Sequence, residues 1–150
     1  MQNEVDALQQ LLGSDLSGVS TAMPVLEPNT YDFTIAKIEA VDNKAKTGKV
    51  LVISLTLAQS AVAFETHKVI NAGFPVITRM GLVESDKYSA EDIKRNLATF
   101  QEAALGERLA AGFLPLEQYY GKTITARTKV ESTADFGNQT VIARWIKKKV

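Results

Sequence analysis

The chain has 150 residues, 45% of them apolar and 23% charged, and its 17 basic and 17 acidic side chains leave no formal net charge. That describes one soluble domain with a sizeable core; the zero net charge says nothing of a general affinity for nucleic acid, and the distribution of charge says more. With no cysteine, an acidic start (MQNEVDALQQ) and no apolar run near the ~20 residues of a bilayer span, it offers no disulfide, no thiolate site, no secretory leader and no spanning helix, and reads as cytoplasmic.

Residues 1–13 carry a helical stripe of Val5, Leu8, Leu11 and Leu12, closed by Gly13. The Ser-, Gly-, Thr- and Pro-rich stretch that follows reads as a linker or strap. Residues 1–28 are therefore expected to form an extension that packs on the domain surface or on a second copy, which would make a homo-oligomer. Residues 29–150 are the folded domain. The first strand, Thr30 to Val41, alternates through Tyr31, Phe33 and Ile35, then slips phase to Ile38 and Ala40, as a β-bulge would make it. Asp42 to Gly48 is a turn carrying Lys44 and Lys46. In the second strand, Lys49 to Ala58, Leu51, Ile53, Leu55 and Leu57 share one face, with Val50, Val52, Ser54 and Thr56 on the other. Apolar on both faces for part of its length, it belongs inside the sheet. Val62 to Ile70 reads as strand and Asn71-Ala72-Gly73 as a turn. Phe74 to Val83 is a third strand of the main set, limited at its start by Pro75.

A helix is predicted over Ala90 to Leu105. Ser89-Ala90-Glu91-Asp92 is a capping box with Asp in place of Glu, Ile93, Leu97, Phe100 and Ala104 follow at helical spacing, and Gly106 stops it. Glu107 to Ala111 could add a second helical turn. Leu116 to Gly121 is a short helix or tight turn. Two alternating runs, Thr123 to Val130 and Gln139 to Ile146, flank a turn-rich connection and predict a hairpin. Ile124, Ala126, Thr128 and Val130 share one face of the first run, with Thr123, Thr125, Arg127 and Lys129 opposite. In the second, Val141, Ala143 and Trp145 oppose Thr140, Ile142, Arg144 and Ile146. Three strands, a helix, then two strands is the pattern of the OB-fold, a mainly β, five-stranded Greek-key barrel. An SH3-like barrel lacks the long helix, and a sandwich has about seven strands.

Several segments carry a resemblance: Glu27-Pro28-Asn29-Thr30-Tyr31, Phe74-Pro75-Val76, Gly81-Leu82, the SAEDIKRNLATF helix and Leu116-Glu117-Gln118-Tyr119-Tyr120-Gly121-Lys122. In this order, over most of residues 27–148, the chain resembles OB-fold single-stranded-DNA-binding proteins encoded by bacteriophages. The resemblance implies a sequence-nonspecific binder of single-stranded DNA in replication, recombination or repair, working in the host cytoplasm. Many replication-type binders end in an acidic tail that recruits partners; this chain ends Lys147-Lys148-Lys149-Val150.

Single-strand binding needs cations that track phosphates and aromatic faces on which bases stack, each stack contributing ~1–3 kcal/mol. The candidate site is Lys44, Lys46, Lys49, Arg79, Arg127, Lys129, Phe136, Arg144 and Trp145. Lys44, Lys46 and Lys49 lie in or beside the first hairpin loop, where this fold grips nucleic acid, and Arg127, Lys129 and Arg144 lie on the last hairpin. Seven cations between Lys122 and Val150 face only Glu131 and Asp135 there. Trp145 has two readings, barrel filling or stacking platform. Tyr31, Phe33 and Phe74 are further aromatic candidates; Tyr31 and Phe33 alternate with Ile35 and have two readings, core or stacking, with core favoured; Phe136 sits exposed in a turn, and Tyr119 and Tyr120 cap the barrel. An enzyme is not expected: His67 has no metal-ligand partner, Thr47-Gly48-Lys49 lacks the rest of a phosphate loop, and the acids are scattered, so no cofactor or metal is implied. The alternative is an OB-like protein-interaction or virion-assembly module.

Overall fold

The computed structural model describes residues 9, 12, 24–84, 89–134 and 137–148. In chain order these form β1 (Thr30–Asp42), β2 (Lys49–Leu57), β3 (Ala61–Val62), β4 (Val69–Ile70), β5 (Pro75–Gly81), α1 (Ala90–Leu105), a 3-10 turn (Leu116–Tyr119), β6 (Thr123–Thr133) and β7 (Gly137–Ile146). The protein is mainly β. One five-stranded antiparallel sheet has the order β5-β2-β1-β6-β7, with α1 in the connection between β5 and β6, while β3 and β4 pair separately. The edge strands β5 and β7 approach within 8 Å, Cα to Cα.

The central strand β1 is shared between partners. Thr30 to Thr34 pair with β6 and Phe33 to Asp42 with β2, so Phe33 and Thr34 are paired on both sides. Between Ile35, opposite Leu55, and Lys37, opposite Ser54, the register shifts, so Ala36 is the extra residue of a bulge. The expected slip is real, and it keeps both Ile35 and Ile38 buried. Leu51, Ile53, Leu55 and Leu57 line the same interior, as their alternation predicts. Burying each such side chain contributes roughly 1.5–3 kcal/mol. Phe100, Ala103 and Ala104 of α1 complete this core together with Tyr119. Pro75 opens the edge strand β5, where its missing N–H costs no ladder bond.

The helix has the predicted limits. The Ser89 hydroxyl accepts from the Asp92 amide and the Asp92 carboxylate accepts from the Ser89 amide, while Gly106 ends the helix in the left-handed region at φ 87°. Glu107 to Ala111 does not continue it. The Leu109 amide donates instead to Gln101 Oε1 at 2.9 Å, and the Gln101 amide nitrogen donates to the Gly112 carbonyl and to Tyr119 Oη. A buried side-chain amide thus ties this loop to α1 in place of a helical turn.

The stretch Val62 to Ile70 is not one strand. Ala63 donates to the Lys68 carbonyl and His67 to that of Ala63, folding it into the β3–β4 hairpin. Leu26, assigned from sequence to the extension, is fully buried and part of the core. It forms a bridge with Ala63, and its amide donates to Thr140 Oγ1 at 3.0 Å. Asn29 is likewise fixed, its carbonyl accepting from the Thr128 amide. Apart from Gln9 and Leu12, both helical and exposed, the stripe predicted over residues 1–13 lies outside the described residues. No helix among the described residues is long and apolar enough to cross a membrane.

Candidate nucleic-acid interface

The last hairpin is set by a second bulge. Arg127 stands opposite Arg144, but the next pair is Thr128 with Ile142, which leaves Ala143 unpaired. Trp145 therefore shares the inward face with Ala126, and Ile142 joins it there opposite buried Thr128. Val141 is turned outward beside Lys129. The expectation that Val141, Ala143 and Trp145 share a face is corrected on this ground: one extra residue exchanges the faces.

Arg127 and Arg144 are both exposed, and among the described residues neither makes an ion pair. Asp32, two register positions away, accepts from Thr125 Oγ1 at 2.6 Å. Lys129 reaches Glu131 only at 3.9 Å.

Lys44 and Lys46 project from the β1–β2 turn, which is closed by its own polar groups. Asn43 donates through its backbone to the Gly48 carbonyl, and its side-chain oxygen accepts from the Thr47 amide, each at 3.0 Å. Lys46 takes a left-handed φ of 56°. Gly48 leaves room for Val83, with which a Cβ would collide. Lys49 is committed to Asp42 at 2.7 Å. Arg79 is exposed on β5, in one row with Val52 and Glu39 across the sheet, and Glu39 is paired with Lys37, whose ammonium this contact holds above the usual lysine range.

These cations form separate groups. Arg127 and Arg144 lie level with Thr30 at the start of β1, whereas Lys44 and Lys46 follow its end. The 13 residues of β1 span a path of roughly 40 Å at ~3.3 Å each, which its bulge and twist shorten.

The aromatic candidates are mostly inward. Trp145 is half-buried, its ring edge-on to Phe100 with centroids 5.1 Å apart and an 86° interplanar angle. That placement favours packing over stacking. Phe33 is fully buried, Tyr31 packs edge-on against it, and Phe74 is half-buried. Tyr119 is fully buried between Phe100 and Phe113, and Tyr120 donates its hydroxyl to the Ile38 carbonyl at 3.0 Å. Phe136 lies outside the described residues. Among the described residues the outward face of the sheet carries no aromatic side chain.

Two features escaped the sequence reading. Phe64 is 37% exposed on the β3–β4 turn, and the only hint in sequence was an aromatic beside Glu65 and Thr66. The lysines of the C-terminal segment also have a job on α1. Lys148 donates through its backbone to the Glu102 carbonyl and through Nζ to the Ala104 carbonyl, and Lys147 pairs with Glu102 at 3.6 Å. A hydrogen bond from Arg108, with the charges of Arg108 and Lys147 behind it, holds the Glu102 carboxyl below the usual glutamate range. Comparison with protein-family models and with curated proteins gives no match for this chain.

Proposed function

We propose that this protein is an OB-fold binder of single-stranded DNA with little sequence preference, serving replication, recombination or repair. Strand order supports the fold: β1, β2 and β5 run consecutively and β6 returns to lie beside β1, a Greek-key arrangement. The helix falls between the third and fourth strands of the sheet, and the edges approach each other as in a partly open barrel.

The observation that carries the function is the facing pair Arg127 and Arg144. Like charges directly opposite on a sheet are destabilising, so a pair without a counter-ion among the described residues is what a bound anion would relieve. Guanidinium groups suit phosphate oxygens, which they grip with two hydrogen bonds at once. In an OB-fold the β1–β2 and β6–β7 loops flank the binding face of the second and third strands. Lys44 and Lys46 would then hold one side of a strand, Arg127, Lys129 and Arg144 the other, and Arg79 the floor.

The test is anisotropy of labelled oligo-dT. Affinity should fall with salt at about −0.7 in log–log slope per phosphate contacted, and duplex DNA should bind more weakly. A folded sample that ignores oligo-dT at low salt would return the protein to the second reading, an OB-like protein-interaction or virion-assembly module. Exposed Ile77, on an outward face without aromatics among the described residues, favours that alternative.

A further inference from the structure

We propose that the β3–β4 hairpin is a third arm of this interface, with Phe64 as a face on which an unpaired base stacks. The inference rests on the single-strand reading above. Stacking supplies a large share of affinity in nonspecific single-strand binding, yet the outward sheet face carries no aromatic among the described residues. Among the described residues Phe64 and Tyr120 are the exposed aromatics, both outside the five-stranded sheet, and the Tyr120 hydroxyl is engaged with the Ile38 carbonyl.

Three observations favour Phe64. Its backbone is held: the Phe64 amide donates to the Val25 carbonyl at 2.7 Å, and the Ala63 amide closes the hairpin on the Lys68 carbonyl at 2.8 Å. A platform on a fixed backbone loses little entropy on binding. Its place is beside the cationic hairpin: Asn138 of β7 donates to Glu65 Oε1 at 2.8 Å, and Leu26 links Ala63 to Thr140. Its neighbours suit the ligand. Lys68 and His67 are exposed on the same turn without an ion pair among the described residues, and Val69, 69% exposed, extends the apolar surface. A cation beside an aromatic face is the pairing that a nucleotide's phosphate and base require.

The experiment compares wild type, Phe64→Leu, Phe64→Ala and Phe64→Tyr by anisotropy, with oligo-dT and with an abasic strand of equal length, thermal melting checking the fold of each. Phe64→Leu and Phe64→Ala should weaken oligo-dT binding roughly 5- to 150-fold with an unchanged salt slope. Phe64→Tyr should bind as wild type, and all four should bind the abasic strand alike. Should Phe64→Ala fail to fold, Phe64→Leu keeps the apolar bulk and removes only the π face. Wild-type affinity for oligo-dT in a folded Phe64→Leu overturns this inference and leaves the single-strand reading standing. Wild type that binds neither strand removes both.

Discussion

Arg127 and Arg144 stand directly across from each other on the exposed side of the last hairpin, with the bulged Ala143 as the next residue down β7. The arrangement separates stability from binding. Replacing Arg127 by Glu would set a carboxylate opposite Arg144, and a favourable cross-strand pair contributes about 0.2–1 kcal/mol. Arg127→Glu should therefore melt at or slightly above the wild-type temperature while losing affinity for oligo-dT and reducing the salt slope. A variant that gains stability and keeps full affinity would show that the pair serves no anion.

The tail should act as a cap. The last turn of α1 contains no basic residue, and Lys148 supplies a cation and two hydrogen bonds to its carbonyl end. Such a charge at a helix C-terminus contributes about 0.3–1 kcal/mol. Deleting residues 147–150 should lower the melting temperature by a few degrees, since 1 kcal/mol shifts a domain of this size by ~2–4 °C. Oligo-dT affinity should change little. A large loss of affinity with unchanged stability would instead place these lysines on the ligand.

Acid should loosen the same end of the helix. Hydrogen bonding to Arg108 holds Glu102 low, and bonds from Ser89 and Arg95 do so for Asp92 at the other end. For a carboxyl depressed in the folded state, the contribution is present above the ordinary value, about 4, and disappears as pH falls through the lower folded value. Melting temperature should thus decline below about pH 4, and Glu102→Gln should flatten that decline. The Asp92 side chain is 36% exposed, so its share of the slope should be shallow, whereas the Glu102 side chain is only 16% exposed and should contribute more.

Trp145 distinguishes packing from stacking. With its ring against Phe100, its emission should be blue-shifted and respond little to oligo-dT. Trp145→Ala should cost stability toward the low end of the ~3–5 kcal/mol found for buried aromatic truncations, because the ring is only half-buried. Strong quenching by oligo-dT in the wild type would reverse this assignment.

Local signals were legible in the sequence and distant ones were not. Ser89, Asp92 and Gly106 mark the limits of α1 because capping is a property of adjacent residues. The slip from Ile35 to Ile38 marks the first bulge because each phase has strong apolar members. At Ala143 both phases of β7 contain apolar residues, so alternation could not show where the register changed. Leu26 sits in a segment whose local composition is that of a loop, and distant partners, Ala63 and Thr140 on its backbone and the core cluster around its side chain, make it core. The same holds for the placement of Phe64, whose amide is held by the Val25 carbonyl, and for Lys148, whose ammonium reaches Ala104.

The split pairing of β1 governs when the domain can fold. Phe33 to Asp42 find β2 across a short turn, but the other edge of Thr30 to Thr34 waits for β6, and Leu26 meets Thr140 across 114 residues. Long closures of this kind slow folding, toward the ms–s range for β topologies. On a ribosome the β1–β2–β5 meander would emerge first, with the leading edge of β1 unpaired and open to strand exchange. The final hairpin therefore acts as the folding latch: until β6, which ends at Thr133, is free, the sheet is a three-stranded fragment with an exposed side, and β7 completes it only at Ile146.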